Sequence, residues 1–182
     1  MSGSIFQQQI AEEAPALRRY ARSLTRDDSA ADDLVQDTLM LALQGQSTFR
    51  EGSGLRRWLL SILHNRFISN RRRDRARQLR HERATPDTGG RYEPTQEDAV
   101  RLAGLERAFG ELPSDQRSTL HLVAIEGYSY ADAAELLGVP IGTVMSRLSR
   151  ARAALREAER LPAAAKSGTV RLRLVGGRDE RK

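Results

Sequence analysis

Apolar residues along the chain recur at intervals of three and four, in two blocks separated by a stretch without such a pattern. In the first block Ile5, Phe6, Ile10, Leu17, Ala21 and Leu24 mark a helix that Pro15 is expected to kink or restart. Asp27, Asp28 and Ser29 can cap a second helix, whose inner stripe is Ala31, Leu34, Val35, Thr38, Leu39 and Ala42 and which Gly45 stops. QSTFREGSG (46–54) reads as a loop. A third helix begins near Leu55, with Leu55, Trp58, Leu59, Ile62, Leu63 and Phe67 as its buried stripe, and runs on into Arg71–Arg73. Its other face shows Arg56, Arg57, Ser61, His64, Asn65 and Arg66.

In the second block Thr95 can cap a helix through Leu102, Leu105, Phe109 and Leu112, which Pro113 ends. Ser114 is expected to cap a helix over 114–126, stopped by Gly127. Ser129, with Asp132 three residues on, makes a capping-box-like start for YADAAELLG. Gly138-Val139-Pro140 turns the chain into a basic amphipathic helix, IGTVMSRLSRARAALREAER. The expected architecture is therefore all-α: two small helical domains, 1–83 and 97–160, joined by a flexible Pro/Gly-containing linker at 84–96. A basic tail, 161–182, alternates briefly at TVRLRLV but has no strand partner, and is expected to be mostly disordered.

Composition narrows the functional classes. The chain has 182 residues, of which 39% are hydrophobic and only 5% aromatic, which suits small helical clusters better than a sandwich or barrel. There is no cysteine, so thiolate metal sites, disulfides and Cys nucleophiles are excluded. His64, His81 and His121 show no metal-ligand spacing, and neither a metal nor a cofactor is expected. No secretory signal or membrane-length apolar run occurs, so the expected place is the cytoplasm, without membrane insertion. No carboxylate pair, nucleophile-base set or phosphate-cradling loop points to an enzyme.

The charge is unevenly placed. Lys and Arg total 30 against 24 Asp and Glu, and only Lys166 and Lys182 are lysines. Residues 1–40 carry net −3, residues 66–83 carry +6 and residues 141–160 carry +3. Two basic segments, one per block, suggest nucleic acid on two surfaces.

The second basic segment has the more specific context. A short helix, a glycine turn and a helix with polar outward residues form a helix-turn-helix pattern. Val144 and Leu148 anchor the second helix, leaving Thr143, Ser146, Arg147 and Arg150 to meet base edges or phosphates. An ordinary basic helical hairpin shares the pattern but not the agreement of cap, turn and basic face. In the first block Trp58 fits plain core better than a base-stacking platform, whereas Arg56, Arg57, Ser61, His64 and Asn65 could contact a melted strand. The acidic second helix works against nucleic acid. Asp32 and Asp33 suit the helix macrodipole, but Gln36 and Asp37 lie further in, and a protein partner with a basic surface accounts for the whole face.

Taken together, these segments resemble an extracytoplasmic-function (ECF, group 4) sigma factor of bacterial RNA polymerase. RRYARSLTRDDSAADDLVQDTLMLAL (18–43) resembles the polymerase-clamp-binding region, LRRWLLSILHNRFISNRRR (55–73) the −10 region, and residues 111–157 the −35-binding domain. ADDLVQDTL, WLLSILHN and GTVMSRLSRAR are most similar to the branch that drives the alphaproteobacterial general stress response. The resemblance implies that Asp33, Gln36 and Asp37 dock on the β′ clamp coiled coil. It implies that Arg56, Arg57, Ser61, His64 and Asn65 hold the opened −10 strand, and that loop 46–54 pockets an extruded base. Thr143, Ser146, Arg147 and Arg150 correspond to the −35 recognition helix, and helix 114–126 lies where the family binds the β flap. The implied partners are core polymerase, promoter DNA and an anti-sigma factor. Two competing expectations are a stand-alone helix-turn-helix regulator and a sigma-like decoy that titrates an anti-sigma factor.

Overall fold

A computed structural model of the chain describes residues 3–50, 52, 54–78 and 97–160. Among them are seven α-helices: α1 (Gly3–Thr25), α2 (Asp28–Gln44), α3 (Leu55–Gln78), α4 (Glu97–Glu111), α5 (Ser114–Leu120), α6 (Tyr130–Leu137) and α7 (Ile141–Arg160). The expected linker 84–96, the tail 161–182, and the Thr95 cap lie outside the described residues.

Helices α1–α3 pack on one another around Phe6, Leu17, Tyr20, Leu24, Leu34 and Leu63, all buried. Helix α1 runs unbroken through Pro15. The proline lies on the exposed side, while Ala16, Leu17, Tyr20 and Ala21 behind it are fully packed. Burial of that stripe outweighs the lost backbone hydrogen bond, and the expected restart does not occur. Asp27 caps α2, its side chain accepting from the Ala30 amide at 2.7 Å. The loop after Gly45 forms a 3₁₀ turn, Gln46–Thr48, that brings Phe49 against Phe6 and Trp58 with ring centroids 5.3–5.8 Å apart. Trp58 is thus a half-buried member of an aromatic cluster, as the core reading expects.

In the second domain α4–α7 close around Leu112, Leu122, Leu136, Val144 and Leu148. The helix expected over 114–126 is shorter. It is α-helical only to Leu120, then widens into a π turn, His121–Ile125, before Gly127 at φ +74°. Ser114 is the first helical residue rather than the cap, and its hydroxyl accepts from Arg71. Ser129 caps α6, accepting from the Asp132 amide at 3.1 Å. Gly138, at φ +64°, ends α6 in a Schellman motif: its amide reaches the Glu135 carbonyl and that of Val139 reaches the Ala134 carbonyl at 3.0 Å. That turn sets α7 across α6 as a helix-turn-helix.

The two domains also pack on each other, α1 against α5 and α3 against α6. Arg117, 6% exposed, ties them together. Its guanidinium donates to the Ser23 and Leu24 carbonyls at the end of α1, and to the Gly110 and Leu112 carbonyls of its own domain. A cation at the carbonyl end of α1 is also where the helix dipole favours it.

Candidate nucleic-acid interface

The acidic face of α2 divides in two. Asp33 and Gln36 stand exposed, whereas Asp37 is half-buried, with both Nε and Nη2 of Arg66 at 2.9 Å from its carboxylate. Asp32 pairs with Arg18 at 2.7 Å. Further along, Met40, Leu41 and Leu43 are 53%, 40% and 43% exposed, so the acidic patch runs directly into an apolar one. The hydrophobic period alone did not mark these three as outward, because one helix cannot bury every leucine of such a run.

The five polar residues singled out on α3 do not share one exposed face. Arg56 donates to Glu13 at 2.6 Å, and Asn65 is exposed. Arg57 is gripped by the second domain, with Asp132 at 2.9 Å and Glu135 at 2.5 Å. Ser61 is half-buried and donates to the Trp58 carbonyl. His64 departs from expectation: it is buried, its Nδ1 3.0 Å from the Tyr20 hydroxyl. Burial, with the Arg147 charge nearby, holds its imidazole down at about 4. The signal was present in the sequence, since Leu60, His64 and Phe67 form a second row at helical spacing. Tyr20 of α1 closes over His64 in that row. Between the domains lies a cleft of about 370 Å³, lined by Arg57, Trp58, Ser61 and Asn65 of α3 and by Glu135 and Leu136 of α6.

Also between the domains sits a buried polar group. Glu126 has a side chain only 2% exposed, with Arg19 and Arg56 each at 3.6 Å and His121 at 3.5 Å. His121 lies against the Tyr20 ring, at 5.1 Å between centroids, and burial lowers its affinity for a proton. Neither position stood out in the sequence, since both lie in what reads as a plain amphipathic helix.

On α7 the buried stripe is Val144, Leu148 and Ala151. Arg150 is exposed, as expected. Thr143, Ser146 and Arg147 are half-buried, and Arg147 is turned aside to Asp115 of α5 at 3.2 Å. Ile141, Met145 and Ser149 are also exposed on the first turns.

Known proteins share this arrangement. Residues 10–64 match the family model described as the Sigma2 domain of PhyR, and residues 102–155 match Sigma-70, region 4. The ECF RNA polymerase sigma factor EcfG of Rhodopseudomonas palustris (strain TIE-1) is 40% identical over 147 residues, covering 78% of this chain and 77% of that protein. The chain belongs to the ECF family of RNA polymerase sigma factors. Among solved structures, the sigma factor RpoE in complex with the anti-sigma factor NepR from Bartonella quintana superposes on this sigma factor with a TM-score of 0.74 and 39% identity, covering 86% of this chain and 98% of that one. The PhyRSL–NepR complex from Sphingomonas sp. Fr1 gives a TM-score of 0.61 at 25% identity, with 96% of each chain covered. Both domains therefore superpose together on RpoE, not one domain alone. Among the described residues no helix is long and apolar enough to cross a membrane.

Proposed function

We propose that this sigma factor acts in the cytoplasm, with no catalysis of its own, by dividing promoter recognition between its two domains. The observation that carries this reading is the helix-turn-helix of α6 and α7, with its basic outward face, placed beside an α3 that bears Arg56, Arg57 and Asn65. The domains correspond to 1–83 and 97–160. In the second, Thr143, Ser146, Arg147 and Arg150 meet the −35 duplex. In the first, Arg56, Arg57, Ser61 and Asn65 hold the opened −10 strand, and His64 acts from inside by fixing α3 on Tyr20. Binding energy gained only on the unpaired strand favours opening. Asp33 and Gln36, continued by Met40 and Leu43, dock on the β′ clamp coiled coil, while α5 and the π turn meet the β flap. An anti-sigma factor covers the same acidic and apolar face, a reading supported by the fit to RpoE in its complex with NepR.

Geometry requires the two domains to part. The −35 and −10 elements lie about 25 base pairs apart, or about 85 Å along the duplex. A closed body of this size is only about 40 Å across. The residues between α3 and α4 (79–96) can span about 60 Å when extended, enough to bridge the difference once each domain's own width is added. On opening, Arg57 exchanges the Asp132 and Glu135 carboxylates for DNA phosphates.

A decoy role has one observation in its favour, the match of residues 10–64 to the PhyR domain model. The higher identity to EcfG, and the outward Arg150, favour the promoter-binding role. Run-off transcription with core polymerase on a promoter library separates the two. Promoter-dependent transcripts are expected, and Arg150→Ala is expected to relax preference at one −35 position without weakening every promoter equally. Complete absence of such transcripts from active core would leave the decoy standing.

A further inference from the structure

On α7 Met145 stands exposed beside the buried stripe of Val144, Leu148 and Ala151, with Ser149, Ser146 and Arg150 following round the outer face. Met145 is 55% exposed and Ile141, one turn earlier, 49% exposed. Together they form an apolar strip on the first two turns of the helix that follows the Gly138 turn. Isolated exposed apolar residues are ordinary, but here the strip shares α7 with the exposed cations Arg150 and Arg152, and no acidic residue lies on α7 before Glu157. A polyanion suits that surround better than a protein with a basic docking face. Within the major groove, the one apolar group that a base pair offers is the 5-methyl of thymine. Arg147, held by Asp115, leaves the strip unobstructed.

We infer that Met145, supported by Ile141, is a specificity-determining residue that reads a thymine 5-methyl group in the −35 element. The inference rests on the proposed placement of α7 in the −35 major groove. Met145 suits the task because its unbranched, polarizable thioether can follow the methyl with little strain.

The test uses holoenzyme assembled from the full chain and core polymerase. After a preferred −35 element has been selected from a library, each thymine is replaced by uracil, which removes only the methyl group. One position is expected to lose about four-fold in promoter binding, the weight of one methyl group taken out of water. Met145→Ala holoenzyme is expected to bind thymine and uracil promoters equally, while keeping its Arg150-dependent preference elsewhere in the element. If no uracil substitution affects the native protein although Arg150→Ala still changes −35 preference, the Met145 assignment is wrong and the helix-turn-helix reading stands. If neither α7 substitution changes −35 preference, the placement of α7 itself fails. If Met145→Ala weakens core or anti-sigma binding with no thymine effect, the strip is a protein-docking surface and the inference is overturned.

Discussion

His64 shows how one side chain can couple the interface to solution conditions. Burial, aided by Arg147, brings its imidazole from an ordinary 6.5 to about 4, so the fold prefers the neutral ring. Between those values the unfolded chain binds a proton that the folded chain refuses. The contribution of His64 is therefore complete above pH 6.5 and is lost as pH falls toward 4, by up to about 3 kcal/mol. His121, also held neutral by burial though opposed by Glu126, adds a slope of the same sign. Urea unfolding at pH 7 and pH 5 is expected to show the loss, and His64→Gln to flatten the profile. An unchanged slope in that variant would assign the acid sensitivity to other groups. Of the residues legible in the sequence as binding groups, Arg150, Asn65, Asp33 and Gln36 stand outward. His64 belongs to a second apolar row on α3 that the sequence carried, but its partner Tyr20 lies forty-four residues away on α1, so only the fold showed what the row packs against.

Helix boundaries followed local chemistry where a cap or a left-handed turn enforced them. Asp27, Ser129 and Gly138 act through bonds made within a few residues of themselves, so the sequence alone marks Ser129 and Gly138 and narrows the α2 cap to Asp27, Asp28 or Ser29. Asp27→Ala is expected to cost about 1 kcal/mol. Gly138→Ala should cost about 1 kcal/mol as well, entirely from the αL backbone, since a Cβ there would meet nothing within 4 Å. Chemical denaturation reads both, and a much larger Gly138→Ala loss would mean that α7 shifts on α6. The π turn at His121–Ile125 was not legible. It places Glu126 beside Arg19 and Arg56 of the first domain, a demand of packing that no local pattern announces.

Across the whole molecule, the closed arrangement uses Arg57, proposed above to meet the promoter, as an internal fastener beside Arg117. Arg57 is held by two acids of α6, and Arg117 donates two hydrogen bonds across the junction, to the Ser23 and Leu24 carbonyls. Neutralising the first set, in Asp132→Asn/Glu135→Gln, removes the Arg57 attachment without disturbing either core. That variant is expected to show a larger radius of gyration by small-angle scattering and faster association with core polymerase. Unchanged dimensions would mean that Arg117 and the Tyr20–His121 contact suffice to keep the domains together. Arg117→Ala, which leaves buried carbonyls without their donor, is expected to cost about 3 kcal/mol and to loosen the same junction.

Two helical domains, their amphipathic stripes, the helix-turn-helix and the division of charge were all determined by residues near one another in the chain. Period, caps and turns act over at most a few turns of helix, so they survive being read one segment at a time. Which faces remain available was decided by tertiary packing. Tertiary packing buried His64 against Tyr20, drew Arg57 onto Asp132 and Glu135 of the other domain, turned Arg147 toward Asp115, and left Met145 exposed on the early turns of α7. The basic segments evident in the sequence thus became a closed molecule in which Arg57 and Arg117 hold the domains together and Arg150, proposed to meet DNA, stands exposed. Charge alone does not distinguish those roles, because an arginine meets a carboxylate and a phosphate with the same planar fork.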